Sequence, residues 1–484
     1  MPDTAVATWW ESGLLKGLEA ICAVVLLGIL CRLATEESLS WIAWVAAGIF
    51  LLLLIVARWP YGATLALVGT SVMPYFFVEI FGWKARPEHF ASGIIFVVVV
   101  AWLLVGKRRA RLDTLDYWIL AYVAINFISS AFGSPAPAST LRWAFQNSLA
   151  ILPYFLIRLL VQDRKVLQKT FRILLIGGFI ESIYGICCYF SHQVFGSSVG
   201  IALNQYGSLA VPYGSQYEPN LFGAYTACGA VLFLALYLSA PQRRLRTFVG
   251  FTVTSLAMIL SFSRAALFAF ALVGGWVFWR ARPSGNRRQI KVALFAIGLG
   301  AVVLVGSSAV GGVLQKRFAD LFSEGLAEDT ALIRYVVIAE ALNEIPQHPL
   351  LGSGTSSLQL TFDLGQYVPE WAGIPTWVGN LTVRVLHDAG FLGLTMLLGF
   401  FISLCSRVRR EIRGTSREIP ILLGLWAGAL LYCITFQSTD GTILAFPWIH
   451  FGLLASAVVI LDDPNERQNA IGRSPSRPII WTSV

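Results

Sequence analysis

The chain has 484 residues, 56% hydrophobic and 13% charged, with a mean hydropathy of +0.68 and a formal net charge of +9 at pH 7. Soluble domains carry about 25% charged residues, so this composition excludes a water-facing globule of this length. The positive charge does not point to nucleic acid: Lys and Arg stand in short clusters between apolar blocks, the pattern of cytoplasmic loops in membrane proteins.

Met1 to Gly17 holds Asp3, Glu11 and a single Lys16 ahead of the first apolar run. It lacks the basic region and cleavage site of a signal peptide, so the first helix is expected to be retained. A hydrocarbon core of ~30 Å needs roughly 17–25 apolar residues per helix. On that criterion about 14 spans are expected, at roughly 12–31, 39–57, 60–82, 90–106, 115–133, 143–161, 170–195, 219–239, 247–262, 265–279, 292–309, 388–406, 419–437 and 442–461. The basic clusters Lys107–Arg111, Arg158–Lys169, Arg243–Arg246, Arg280–Lys291 and Arg407–Arg417 fall between pairs of spans. Placing them in the cytoplasm puts about 27 of the 36 Lys and Arg residues inside. The expected fold is therefore an all-α polytopic bundle with both termini inside. Its parts are N-terminal helices over 1–217, a second transmembrane region over 218–461 and a flexible cytoplasmic tail over 462–484.

Two segments interrupt the alternation on the outer side. Gly196 to Asn220 is rich in Gly, Ser, Tyr and Asn. The second is a large loop over 310–386. Loops of that length are functional or disordered. This one carries Phe318, Phe322, Phe362, Trp371, Trp377 and a helix-like run from Thr330 to Ile345, which favours an ordered cap. The seven cysteines lie in or at the ends of apolar blocks without CxxC or metal-ligand spacing, and read as small packing residues.

Phe248 to Trp279 holds two spans of about 16 residues each, or ~24 Å at 1.5 Å per residue. The tip, Ser261-Phe262-Ser263-Arg264, should then lie in a recess below the outer surface. A guanidinium there needs water, an anion or an acidic neighbour. Arg317 and Arg334 lie in the large loop, and arginine forks suit phosphate oxygens. Glu218-Pro219-Asn220 opens a helix. Asn220 either caps the chain or meets a substrate, and Glu218 either faces solvent or handles sugar hydroxyls or a proton. Gly352-Ser353-Gly354 is too short for a phosphate loop and reads as a turn after Pro349. His387, beside Asp388, is either a general base or a hydrogen-bonded interfacial residue.

Four local patterns resemble the O-antigen ligase and polymerase superfamily of bacterial membrane glycosyltransferases. Glu218-Pro219-Asn220-Leu221-Phe222-Gly223 is similar to its PN segment, and Ser263-Arg264-Ala265-Ala266-Leu267 to its SR motif at a hairpin tip. Arg334 with Pro349-Leu350-Leu351-Gly352-Ser353-Gly354 resembles the loop arginine and PLxGxG turn. Asn380 to Leu394 resembles the segment that ends the large loop. Ligases of the family place a histidine just before that asparagine; here the position is Gly379, which favours a polymerase-type member.

The resemblance implies a GT-C-like bundle in the bacterial inner membrane, with its site facing the periplasm. The donor would be a glycan on undecaprenyl diphosphate, and transfer would be inverting and metal-independent, with no cofactor. Arg264, Arg334 and His387 would be catalytic, and Arg317, Glu218, Asn220, Asn380 and Asp388 would bind substrate. The reaction would be polymerisation of repeat units; the alternatives are transfer of finished glycan to lipid A-core and, in another class, a lipid-linked glycan flippase. A chain-length regulator and a flippase of the same pathway are the expected protein partners.

Overall fold

The computed structural model describes residues 48, 52, 55, 59–80, 83–105, 112–203, 210–239, 244–281, 329–367, 372–373, 376–412 and 419–462. The spans expected at 12–31 and 292–309 lie outside them, and of the one at 39–57 only residues 48, 52 and 55 are described.

The described chain is helical apart from two short hairpins. In order, α1 is Tyr61–Ser71, α2 Pro87–Leu104, α3 Thr114–Phe132, α4 Pro137–Leu160, α5 Arg164–Phe195, α6 Pro219–Ser239, α7 Arg244–Leu260 and α8 Arg264–Ala281. Then come α9 (Asp329–Glu344), the single turn α10 (Leu358–Thr361), α11 (Leu381–Ile412), α12 (Ile419–Thr435) and α13 (Ala445–Asp462). The hairpins are β1 (Val78–Ile80) with β2 (Trp83–Ala85), and β3 (Ile201–Leu203) with β4 (Ala210–Pro212), both antiparallel. Among the described residues, α2, α3, α5, α6, α11 and α13 are long and apolar enough to cross a membrane.

Local chemistry sets the helix ends. The Asp113 carboxylate accepts from the Leu115 amide (2.7 Å), while Asp116 accepts from the Asp113 amide (2.9 Å), a reciprocal box that starts α3. Asp163 starts α5 by accepting from the amides of Lys165 and Val166, and Gly196 ends it in the left-handed region at φ 69°. The span expected at 60–82 is shorter than the apolar run suggests. Its helix stops at Ser71, ahead of Pro74, and Val78–Ile80 then pair with Trp83–Ala85. Proline disfavours helix for its predecessor, and the β-branched and aromatic residues that follow suit strands. Eleven helical residues reach only about 16 Å. The span expected from 388 starts earlier, at Leu381, because Asn380 caps it.

α6 and α13 form the centre of the bundle: their apolar windows are 83% and 89% buried, against 33–39% in the other four long helices. Small residues allow this closeness. A Cβ added at Gly229 of α6 would stand 3.3 Å from Thr254 of α7, and one at Gly428 of α12 would be 2.8 Å from Cys228 of α6.

One end of the bundle is held by charge. Arg158 of α4 grips Asp116 with two bonds of 3.0 Å and reaches Asp113 at 3.2 Å, Arg407 of α11 meets Asp113 at 3.0 Å, and Tyr154 donates to Asp116. Asp116 is wholly buried, so only this pairing makes its charge tolerable. Arg280 and Arg410 lie at the same end, bonded to the Ile412 carbonyl and to Asp462.

At the opposite end α11 is broken. Gly390 has φ 64° and ψ −167°, which no helix contains. The break exposes backbone groups, and the turn after Pro349 occupies them. The amides of Phe391 and Leu392 donate to the carbonyls of Pro349 and Leu350 (2.8 and 3.1 Å). Those of Ser353 and Gly354 donate to the carbonyls of His387 and Asp388 (2.8 and 3.1 Å). Contact this close requires glycine: a Cβ at Gly352 would meet the Ala389 nitrogen at 2.6 Å. Gly352-Ser353-Gly354 is thus a structural turn. The described part of the large loop has its own small core of Val337, Ala341, Leu358, Leu364 and Val378, with Phe362 packed against it. The ordered cap expected from composition is present there; Trp377 is exposed, and Phe318, Phe322 and Trp371 lie outside the described residues.

Candidate functional site

The short hairpin expected around Arg264 is observed as α7 and α8, of 17 and 18 residues, with a turn at Ser261 to Ser263. Each helix reaches about 26 Å, less than the ~30 Å core. Ser263 starts α8: its carbonyl accepts from Leu267 and its hydroxyl from Ala266. Arg264 therefore occupies the first turn, where the helix dipole already favours an anion. Phe262 is held at φ 50°, a conformation that costs energy for a bulky residue. The turn rests on α6 where only glycine fits, since a Cβ on Gly223 would stand 2.6 Å from Ser261 Oγ and 2.7 Å from Ser263 Cβ. Arg264, half-buried, and Asn220, second residue of α6, thus begin neighbouring helices.

Three other expected residues, Arg334, Glu218 and Asn380, converge on the polar connection between α12 and α13, Gln437 to Thr442. Arg334 of α9 donates to Ser438 Oγ (3.1 Å), and Thr439 donates to Glu218 Oε1 (2.7 Å). Asn380 donates to the Gln437 carbonyl (2.8 Å), while its own carbonyl oxygen accepts from the Val383 amide. Arg384, one turn into α11, is buried against Asp440 (2.6 Å) and donates to Thr442 (2.8 Å). Arg86 bonds the Ile443 carbonyl (3.3 Å) and pairs with Glu88. One short connection therefore ties together the start of α6, the cap helix α9 and the start of α11.

Ser438, Thr439, Asp440 and Thr442 were not singled out in the sequence. Their signal was a Gln-Ser-Thr-Asp-Gly-Thr run confined between two apolar spans. Arg317 lies outside the described residues.

His387 and Asp388 sit deeper, about 10 Å along α11 from Asn380. His387 is fully buried, with Nε2 2.8 Å from Glu344 Oε2 and Nδ1 3.0 Å from Asp388 Oδ1. Asp388 Oδ2 in turn accepts from the Ser356 amide. Both ring nitrogens are engaged by carboxylates, so this geometry offers neither to a sugar hydroxyl. The bond to His387 holds the Glu344 carboxyl below its usual range. The three residues join the cap helix to α11.

Residues 249–398 match the family model described as O-antigen ligase. The match covers about a third of the chain. The match supports membership of the O-antigen ligase and polymerase superfamily and lends no support to a flippase. No curated protein matches the chain. The matched segment takes in Arg264, Arg334, the 349–354 turn and Asn380 to Asp388. Glu218, Asn220 and the 437–442 connection come from outside it and complete the same surface. The connection gathers the Arg334 guanidinium, the Glu218 carboxylate and several hydroxyls, with the Arg264 helix start packed on α6 nearby. They suit an anionic leaving group and a sugar acceptor.

Proposed function

We propose that the protein is a polymerase of oligosaccharide repeat units carried on undecaprenyl diphosphate, working at the periplasmic face of a bacterial inner membrane. The observation that carries this reading is the junction of the Arg264 helix start with α6, whose first residues share the 437–442 connection with Arg334. The end of the bundle bearing Arg280, Arg407 and Arg410 faces the cytoplasm in this reading.

Arg264 and Arg334 hold the diphosphate and offset the charge that grows on it as its bond to the anomeric carbon breaks. An acceptor hydroxyl attacks that carbon from the opposite side, so configuration inverts. The hydroxyl proton passes to Glu218, whose Oε1 accepts from Thr439 beside Arg334's contact Ser438, or to water. Asn220 and Asn380 line the approach, and a chain-length regulator acts beside the mouth. Gly379, in place of the ligases' histidine, favours polymerisation over transfer to lipid A-core.

The test is Arg264→Ala in a strain lacking the chromosomal copy. Membrane insertion and expression should be unchanged while long-chain glycan disappears. Normal glycan from a well-expressed Arg264→Ala protein would remove Arg264 from the site.

A further inference from the structure

The Tyr-rich segment before α6 has no part in the transfer chemistry above, yet it is built into the rim of the same site. Tyr75, which follows α1, and Tyr213 and Tyr217, which precede α6, bring their rings together. Tyr75 lies 5.2 Å from Tyr213 and 6.4 Å from Tyr217, centroid to centroid. Phe77 stacks nearly parallel to Tyr217 at 17°. Arg86 lies over Tyr217 at 5.7 Å, and Lys84 over Phe77 at 4.8 Å. Of these rings only Tyr75 is largely open, at 43% exposure; the others are half-buried beneath or beside it.

The scaffold under Tyr75 is fixed. Its amide donates to the Ser215 carbonyl (3.2 Å). Ser215 is locked in turn: its amide and hydroxyl both bond the buried Glu181 carboxylate (2.9 and 2.7 Å), and its hydroxyl also contacts the Val72 carbonyl. Gln216, wholly buried, donates to the same carbonyl. Two chain segments far apart in sequence are thus stapled together behind one exposed ring. A tyrosine needed only for lipid contact would not require a buried carboxylate to hold its backbone.

The position also carries information. Tyr217 adjoins Glu218, and Arg86 touches the 437–443 connection at Ile443, beyond the points where Arg334 and Glu218 meet it. The ring cluster therefore flanks the carboxylate, away from the Arg334 contact. A tyrosine presents an apolar face with a polar tip, which matches a pyranose: C–H bonds on its face and hydroxyls at its edge. Lys84, exposed beside Phe77, supplies a donor at the border for those hydroxyls or for acidic sugars.

We propose that Tyr75, supported by Tyr213 and Tyr217, is a stacking subsite for a sugar ring of the acceptor glycan, next to the residue that receives the transfer. This rests on the glycan-transfer reading of the site.

Two measurements test it. The first is binding of a lipid-free oligosaccharide, released by mild acid from the host's surface polysaccharide, to the full-length protein in nanodiscs. Tyr75→Ala should lose binding roughly three- to tenfold relative to wild type. The second is transfer kinetics: Tyr75→Ala should raise the acceptor KM by a similar factor and leave the donor KM unchanged. Tyr75→Trp should restore the acceptor KM and Tyr75→Leu should not. Equal binding by wild type and Tyr75→Ala overturns the subsite. So does full function in Tyr75→Leu, which would make the residue a membrane anchor. If wild type transfers no glycan, the functional reading falls, and the binding series alone decides the subsite.

Discussion

His387 of α11 and Glu344 of the cap helix meet at 2.8 Å, with His387 completely buried and Asp388 closing on its other nitrogen at 3.0 Å. The carboxylate–imidazole–carboxylate chain fastens the helix carrying Arg334 to the helix that starts at Asn380. Removing the ring leaves Glu344 Oε2 and Asp388 Oδ1 without the partner they share. His387→Ala should weaken cap attachment by about 2–4 kcal/mol. Hydrogen exchange should quicken over 329–344 and stay unchanged in α6 and α13. Glu344→Gln combined with His387→Ala should cost less than the sum of the two, because the groups act as one unit.

The same clamp sets a pH response. The Glu344 carboxyl, facing His387 with Thr361 and His348 nearby, is held below its ordinary value of 4.5. A depressed carboxylate contributes stability that is present above its unfolded value and is lost as pH falls through its folded value. The Glu344 contribution to cap protection should therefore be lost as pH falls below about 4.5. In Glu344→Gln that acid-side decline, read by hydrogen exchange of α9, should shrink.

Gly390 is where α11 opens to receive the 349–354 turn. A Cβ there would stand 2.7 Å from the Gly352 nitrogen and collide with the Leu350 carbonyl, at a φ of 64°. Gly390→Ala should cost about 1–3 kcal/mol from backbone conformation alone, with the collision added. Gly275→Ala in α8, where a Cβ meets nothing within 4 Å, should be neutral or slightly stabilising. Thermal unfolding in detergent, with protease sensitivity of 345–380, distinguishes the two.

Ser438 accepts from Arg334 and contributes no charge. Ser438→Ala should lower transfer roughly tenfold by loosening the guanidinium, while Ser438→Thr keeps most of it. Arg334→Ala should abolish it. Equal losses in Ser438→Ala and Arg334→Ala would mean that the serine itself meets the substrate.

Apolar run length located most of the described helices, because bilayer thickness imposes it directly. The Arg264 hairpin was legible for the same reason: two apolar runs shorter than a full span fold as two short helices joined by a tight turn. The run at 60–82 misled because apolar content alone does not separate helix from hairpin, and Pro74 with the aromatic and β-branched residues after it was the finer signal. His387 was visible as a residue but not as a clamp, since its partner Glu344 is 43 positions away. The 437–442 connection was hidden because serines and threonines in a short turn are ordinary locally; only the tertiary fold brings Glu218, Arg334 and Asn380 onto them.

The most direct measurement is a glycan analysis of a deletion strain that separates carrier-linked material from mature surface polysaccharide. Single repeat units accumulating on the lipid carrier, with no long chains and with recovery on complementation, are the predicted result. Long chains stranded on the carrier would contradict polymerisation and assign the protein as a ligase. Both pools unchanged, in a strain without a second enzyme of this family, would contradict glycan transfer itself.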